Sequence, residues 1–148
     1  SIFNEVISEF NLDLIAKDRF SAVSSDGVGY DFAAKKTNDL PHPRSFGAFP
    51  RAISQLVKKK GIASLETMIS KMTGLPAYIL GIKDRGVLEK GKKADLVVFD
   101  LETIEDIATY ESPFAPPSGI RYVFVNGQAV ISSGKTTGLL PGKALRNR

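Results

Sequence analysis

The sequence contains no cysteine and no tryptophan, and its single histidine is His42. Without cysteine there is no disulfide framework, no thiolate nucleophile and no sulfur-ligated zinc, a composition compatible with a cytoplasmic setting. One histidine cannot supply the ligand set of a catalytic zinc, so any metal centre must be completed by residues elsewhere. Long apolar runs are missing as well. Leu96 to Phe99, LVVF, is typical of the longest and falls far short of the roughly 20 residues that span a bilayer. No signal-like start is visible, so a soluble protein without a membrane partner is expected. A Gly-rich phosphate loop, a G-x-S-x-G elbow and an H-E-x-x-H zinc helix are also absent.

The chain does hold 148 residues, of which 43% are hydrophobic, with 20 basic against 16 acidic side chains. That suits one ordinary globular unit and excludes disorder. The small positive excess forms no basic stripe, because nine basic and seven acidic residues alternate within the first sixty. Lys58-Lys59-Lys60 falls where a helix should end, and cations there complement the carbonyl end of the helix dipole. It is read as a solvated helix terminus, and no nucleic-acid partner is expected. The chain begins at Ser1, inside the pattern Ile2-Phe3-Asn4-Glu5-Val6-Ile7, and reads as a piece of something longer.

Ser8, followed by Glu9 and then Leu12, Ile15 and Ala16, predicts a short helix with a serine cap. Arg19 to Ser24 is β-prone at its centre and runs into Ser25-Asp26-Gly27, which fits a buried strand ending at an Asp-Gly turn. Val28 to Phe46 shows no periodicity and predicts a long loop of the functional kind. Pro50 is suited to open the next helix, in which Phe49, Ile53, Leu56 and Val57 share one face before Gly61 ends it. Ser64 caps another helix with Leu65, Met68, Ile69 and Met72 at helical spacing. Gly74 stops that helix, and Pro76 opens a third that ends at Gly81. From Asp84 onward the pattern turns strand-like, at Val87-Leu88, Ala94 to Phe99, Tyr122 to Val125 and Gln128 to Ile131. The last two are joined by the hairpin signal Asn126-Gly127.

Chemistry-bearing residues are few. Asp26, at the expected end of a strand and before a long loop, stands where barrel enzymes place catalytic carboxylates, although an Asx turn is the simpler account. Arg44, between prolines and the next helix, presents a planar fork suited to a carboxylate ligand, while a surface ion pair explains it as well. His42 reads as a structural or solvated loop residue.

The blocks SSDG at Ser24 to Gly27, HPRSFGAFPR at His42 to Arg51, SLETMISKMTGLPAYILGIKDRG at Ser64 to Gly86, GKKADLVVFD at Gly91 to Asp100 and GIRYVFVNGQAV at Gly119 to Val130 together resemble the C-terminal portion of D-aminoacylases. These are the N-acyl-D-amino-acid deacylases of the amidohydrolase superfamily. The resemblance implies an α/β fold: the C-terminal fragment of a (β/α)8 metal-dependent hydrolase barrel plus part of a small β-sandwich domain. Residues 1–83 would be the end of the barrel, with Phe20 to Ser24 as its last strand. Residues 84–148 would be a share of the β-sandwich. It further implies zinc held mainly by residues upstream of this chain and a small-molecule N-acyl-amino-acid substrate. Asp26 would be the catalytic proton carrier and could also touch a second, weaker metal position, and Arg44 would pair with the substrate carboxylate. Because the upstream ligands are absent here, the chain alone is expected to be inactive and to need the remainder of the barrel, on the same or a companion chain. A cyclic-amide or ureide hydrolase of the same superfamily, or a non-catalytic structural fragment, are the other readings.

Overall fold

The structure, a computed structural model, describes residues 7–30 and 40–145. The segment up to Val6, and residues 31–39 of the loop expected between Val28 and Phe46, lie outside the described residues. Helix α1 (Glu9–Lys17) opens as its sequence dictates: the Ser8 hydroxyl accepts the Asn11 amide at 3.3 Å, Glu9 occupies the first turn and Lys17 the last. Each of these satisfies or complements a helix end.

Helix α2 (Arg44–Arg51) begins earlier than Pro50, which corrects both the expected helix start and the end of the expected loop. Pro43 occupies the cap position in helical backbone geometry (φ −53°, ψ −27°), so its locked ring orients the first turn. Pro50 therefore lies inside the helix, where it has no amide to donate. After Arg51 the helix continues as a wider π-type turn series, Ala52–Lys59. Gly61 ends it with φ +59°. Gly47 sits mid-helix, where glycine costs about 0.5–1 kcal/mol against alanine; the space it leaves is filled by Asp106 of a later segment.

Helix α3 (Leu65–Met72) is capped by Ser64, whose hydroxyl accepts the Thr67 amide at 3.2 Å, and α4 (Gly74–Ile79) follows, starting two residues before Pro76. Met68 is fully buried, and Ala52, Ile53 and Ala77 on the helices that pack against α3 are buried with it; Met72 is half-buried. Lys71, 3% exposed, sends its ammonium to the Asp18 carbonyl, the Ser21 carbonyl (3.0 Å) and the Ser21 hydroxyl (2.7 Å). Its own carbonyl accepts the Val23 amide at 3.0 Å.

Arg19 to Ser24 was expected as a buried strand, and among the described residues it is not one: Phe20 is largely exposed and the segment carries no strand pairing. A strand is defined by its neighbours, and the described residues bring none beside it. It is held instead by Lys71.

The second half forms an antiparallel meander, β1 (Leu96–Phe99), β2 (Ile120–Val125), β3 (Gln128–Ser132) and β4 (Lys135–Thr136), hydrogen-bonded in that order. Asn126 (φ 50°) and Gly127 (φ 81°) make the β2–β3 turn in the left-handed backbone region that the dipeptide favours. A similar Ser133-Gly134 turn leads to β4, which the sequence pattern did not announce. Val87-Leu88 is not a strand; it sits in a bend, with Leu88 exposed. Arg85 ties the start of this half together, pairing with Asp95 and donating to the Asn126 side-chain oxygen at 2.8 Å. Among the described residues no helix is long and apolar enough to cross a membrane.

The connection from β1 to β2, residues 100–119, leaves the sheet and runs along α2 and its π-type continuation. Ile104 and Pro113 are almost completely buried there. The lysine run faces this connection and α1: Lys58 donates to the Glu102 carbonyl at 2.8 Å, Lys59 pairs with Glu105 at 3.2 Å, and Lys60 with Glu9 at 3.1 Å and Asp13 at 2.9 Å. The expected solvated terminus is thus a set of three ties between segments distant in sequence.

Candidate functional site

Asp26 and Arg44, separated by a long stretch of chain, meet as an ion pair with Arg44 Nη2 3.0 Å from Asp26 Oδ2. Local chemistry prepares both sides. The hydroxyls of Ser24 and Ser25 accept the amides of Asp26 (3.4 Å) and Gly27 (3.3 Å), so two serine turns form the bend and the aspartate side chain is left out of it. The Asx turn is therefore not what the carboxylate makes. Asp26 takes φ 46°, a conformation that Asp and Asn tolerate better than most residues. Gly27 then lies so close to the start of α2 that a Cβ would stand 2.9 Å from Ser45 Cα. The Ser45 hydroxyl accepts the Val28 amide at 3.3 Å, fastening the bend to the helix.

The Arg44 amide donates to Nδ1 of His42 at 3.0 Å, and Nε2 of His42 lies 3.2 Å from the Tyr110 hydroxyl. An accepting Nδ1 leaves the ring proton of a neutral imidazole on Nε2. Partial burial and the nearby guanidinium groups of Arg44 and Arg51 hold His42 below the ordinary imidazole pKa, with Asp26 pulling the other way. His42 is thus held between the Arg44 amide and the Tyr110 hydroxyl. Beside it Tyr30, Phe46 and Phe114 pack ring against ring, with centroids 5.4–5.8 Å apart.

The Arg44–Asp26 pair is too open to be a stabilising device. Side-chain exposures of 46% and 80% place it among surface pairs, which contribute about 0–1 kcal/mol. Its two members are free to exchange partners, and a planar guanidinium accepts a carboxylate in two-pronged fashion. Among the described residues no group of three or more His, Cys, Asp or Glu side chains is arranged to hold a metal ion. The described residues do not make a metal centre by themselves.

The site also uses residues that carried no local signal. Asp106 and Tyr110 come from the β1–β2 connection, far from the motif blocks around Asp26 and Arg44, and only the folded chain brings them to α2.

Helices followed by an antiparallel meander, with the Asp26–Arg44 pair at the start of α2, define a mixed class of helix and antiparallel sheet. The match to the amidohydrolase family model over residues 37–131 narrows that class: the chain belongs to the amidohydrolase family. It is 36% identical to an N-acyl-D-aspartate deacylase of Alcaligenes xylosoxydans xylosoxydans over 95% of its own length and 27% of that protein. It is 42% identical to a D-aminoacylase of the same organism, over 83% of this chain and 24% of that one. A crystal structure of D-aminoacylase superposes with a TM-score of 0.81 at 38% identity, covering 90% of this chain and 27% of the other. An N-acyl-D-glutamate deacylase from Bordetella bronchiseptica, complexed with zinc and a phosphonate mimic of the tetrahedral intermediate, does so with a TM-score of 0.75 at 36% identity, covering 88% and 27%. The chain spans about a quarter of the length of these relatives.

Proposed function

We propose that these residues are the C-terminal part of a zinc-dependent amidohydrolase that cleaves the amide bond of N-acyl-D-amino acids, giving a carboxylate and a free D-amino acid. Residues 1–83 would close a (β/α)8 barrel, with Phe20 to Ser24 taking up strand pairing beside the preceding strand. Residues 84–148 would be a share of a small β-sandwich domain. The observation that carries the reading is the exposed, exchangeable Arg44–Asp26 pair, 3.0 Å apart, in a chain whose relatives deacylate N-acyl-D-amino acids by name.

In this reading Arg44 gives up Asp26 for the substrate carboxylate, whose two oxygens match the guanidinium fork. Binding then fixes the amide and frees Asp26 in one exchange. The released carboxylate takes a proton from the attacking water and delivers it to the departing amine nitrogen as the C–N bond breaks. Zinc is proposed as the metal of the whole enzyme because a relative is complexed with it, and its ligands would come mainly from outside these residues.

The test is an assay of the whole enzyme on N-acetyl-D-amino acids with Asp26→Asn as control. Asparagine tolerates the same backbone conformation, so the fold is retained while kcat falls by about 10²-fold or more. Full activity in the Asn variant, or hydrolysis of hydantoin rings in place of acyl amino acids, would overturn the assignment.

A further inference from the structure

We propose that Asp106 is a positioning residue for Arg44, holding the substrate-binding guanidinium in place through the helix that carries it. The proposal rests on the deacylase reading for the role of Arg44. Arg44, Gly47 and Arg51 stand at helical spacing and form one stripe on α2. Asp106, from the β1–β2 connection, is set against this stripe. One carboxylate oxygen lies 3.0 Å from Arg51 Nη1, and the other accepts the Ser54 hydroxyl at 3.4 Å. Its side chain is 8% exposed, whereas that of Arg51 is 67% exposed.

Contact is closest at Gly47, one turn from Arg44: a Cβ there would stand 2.6 Å from the Asp106 Cβ. The helix gives up the propensity of a larger residue at this point and in return lies directly on the connection. A second tie from the same connection acts on the first turn, since Tyr110 touches His42, which receives the Arg44 amide. Arg44 therefore leaves the helix from a turn gripped on two sides. A small rotation of that turn moves a long side chain's tip by more than its backbone, and substrate alignment is sensitive to displacements of about 1 Å.

A purely structural role would lower stability and leave the kinetic constants of the folded enzyme alone. The experiment compares the whole enzyme with Asp106→Ala and Gly47→Ala on an N-acetyl-D-amino acid and on its C-terminal amide, which lacks the carboxylate. Thermal unfolding is followed alongside, and Asp106→Asn serves as the conservative variant. Expected for both Ala variants is a KM about tenfold higher on the acid, with kcat within about twofold, no change on the amide, and partial recovery in Asp106→Asn. Amide hydrogen exchange at Arg44 and Phe46 should rise in the same variants, a readout that needs no turnover. Unchanged KM and unchanged exchange in folded variants, or equal losses on acid and amide, would overturn the proposal. If a variant fails to fold, the other decides. A wild-type enzyme that neither binds nor hydrolyses the acid would instead sink the deacylase reading, and unaltered exchange would separately sink the claim that Asp106 holds the turn.

Discussion

Asp26 carries a left-handed backbone conformation, an exposed carboxylate and no turn-forming duty, because Ser24 and Ser25 have taken over the turn. His42 is the complementary case, a titratable group whose surroundings favour its neutral form. Burial is the largest influence on it, followed by Arg44 and Arg51, and together they depress its pKa despite Asp26. The sign follows from which state binds the proton more readily. The unfolded imidazole protonates near its ordinary value of about 6.5, and the folded one only at lower pH. Between those points the unfolded chain holds more protons and stability rises with pH. The contribution of His42 is complete above about pH 6.5 and is lost as pH falls through the folded value, where protonating Nδ1 also breaks the bond to the Arg44 amide. An NMR titration of the imidazole should show a midpoint below about 6.5, moving part of the way back in Arg44→Met because one of the two cations is gone. A midpoint at or above the ordinary value would contradict this environment.

Elements were legible where local rules sufficed. Ser8 and Ser64 announced two helix starts, Gly61 one helix end and Asn126-Gly127 a hairpin, since each depends on chemistry within a few residues. Pro50 misled because a proline that can open a helix can also sit inside one when Pro43 has already opened it. Arg19 to Ser24 misled for another reason: β-propensity says that a segment can pair, and pairing needs a partner. What holds this segment is Lys71, buried by α3 and bonded only to oxygens of Asp18 and Ser21 among the described residues. Lys71→Met fills similar volume yet takes a charged donor from the Ser21 carbonyl and hydroxyl, while the Asp18 carbonyl keeps the Ser21 amide and hydroxyl as donors; a hydrogen bond to a charged group contributes about 1.5–3 kcal/mol. Urea unfolding should show a loss of about 1–3 kcal/mol, part of the penalty being offset because a charge no longer needs burying. The Val23 amide, which donates to the Lys71 carbonyl, should exchange faster. No loss of stability would mean that the segment is anchored by something other than this lysine.

At the scale of the molecule, the motif blocks made the family legible before any coordinates, and the site's supporting side was not. Asp106 and Tyr110 belong to an irregular connection whose course no periodicity describes. The apolar core of the described residues is small: Ala16, Ala52, Ile53, Met68, Ala77, Ile104 and Ala108. Meanwhile Phe10, Phe20, Tyr78, Leu88 and Leu140 stand in solvent, large apolar side chains that the proposed remainder of the barrel is expected to help cover. The metal chemistry points the same way. His42 is engaged at both ring nitrogens, and no three-ligand cluster exists among the described residues. Zinc added to the isolated 148-residue chain should therefore be lost on gel filtration, with no stoichiometric retention by elemental analysis. On the proposed function, the whole protein should keep zinc through the same column, and the deacylase activity proposed for it should be lost to a chelator and return on zinc addition. Tight, stoichiometric zinc on the isolated chain would place a complete site within these residues, and the division of labour in which this part supplies the carboxylate and guanidinium while another part supplies the metal ligands would have to be abandoned.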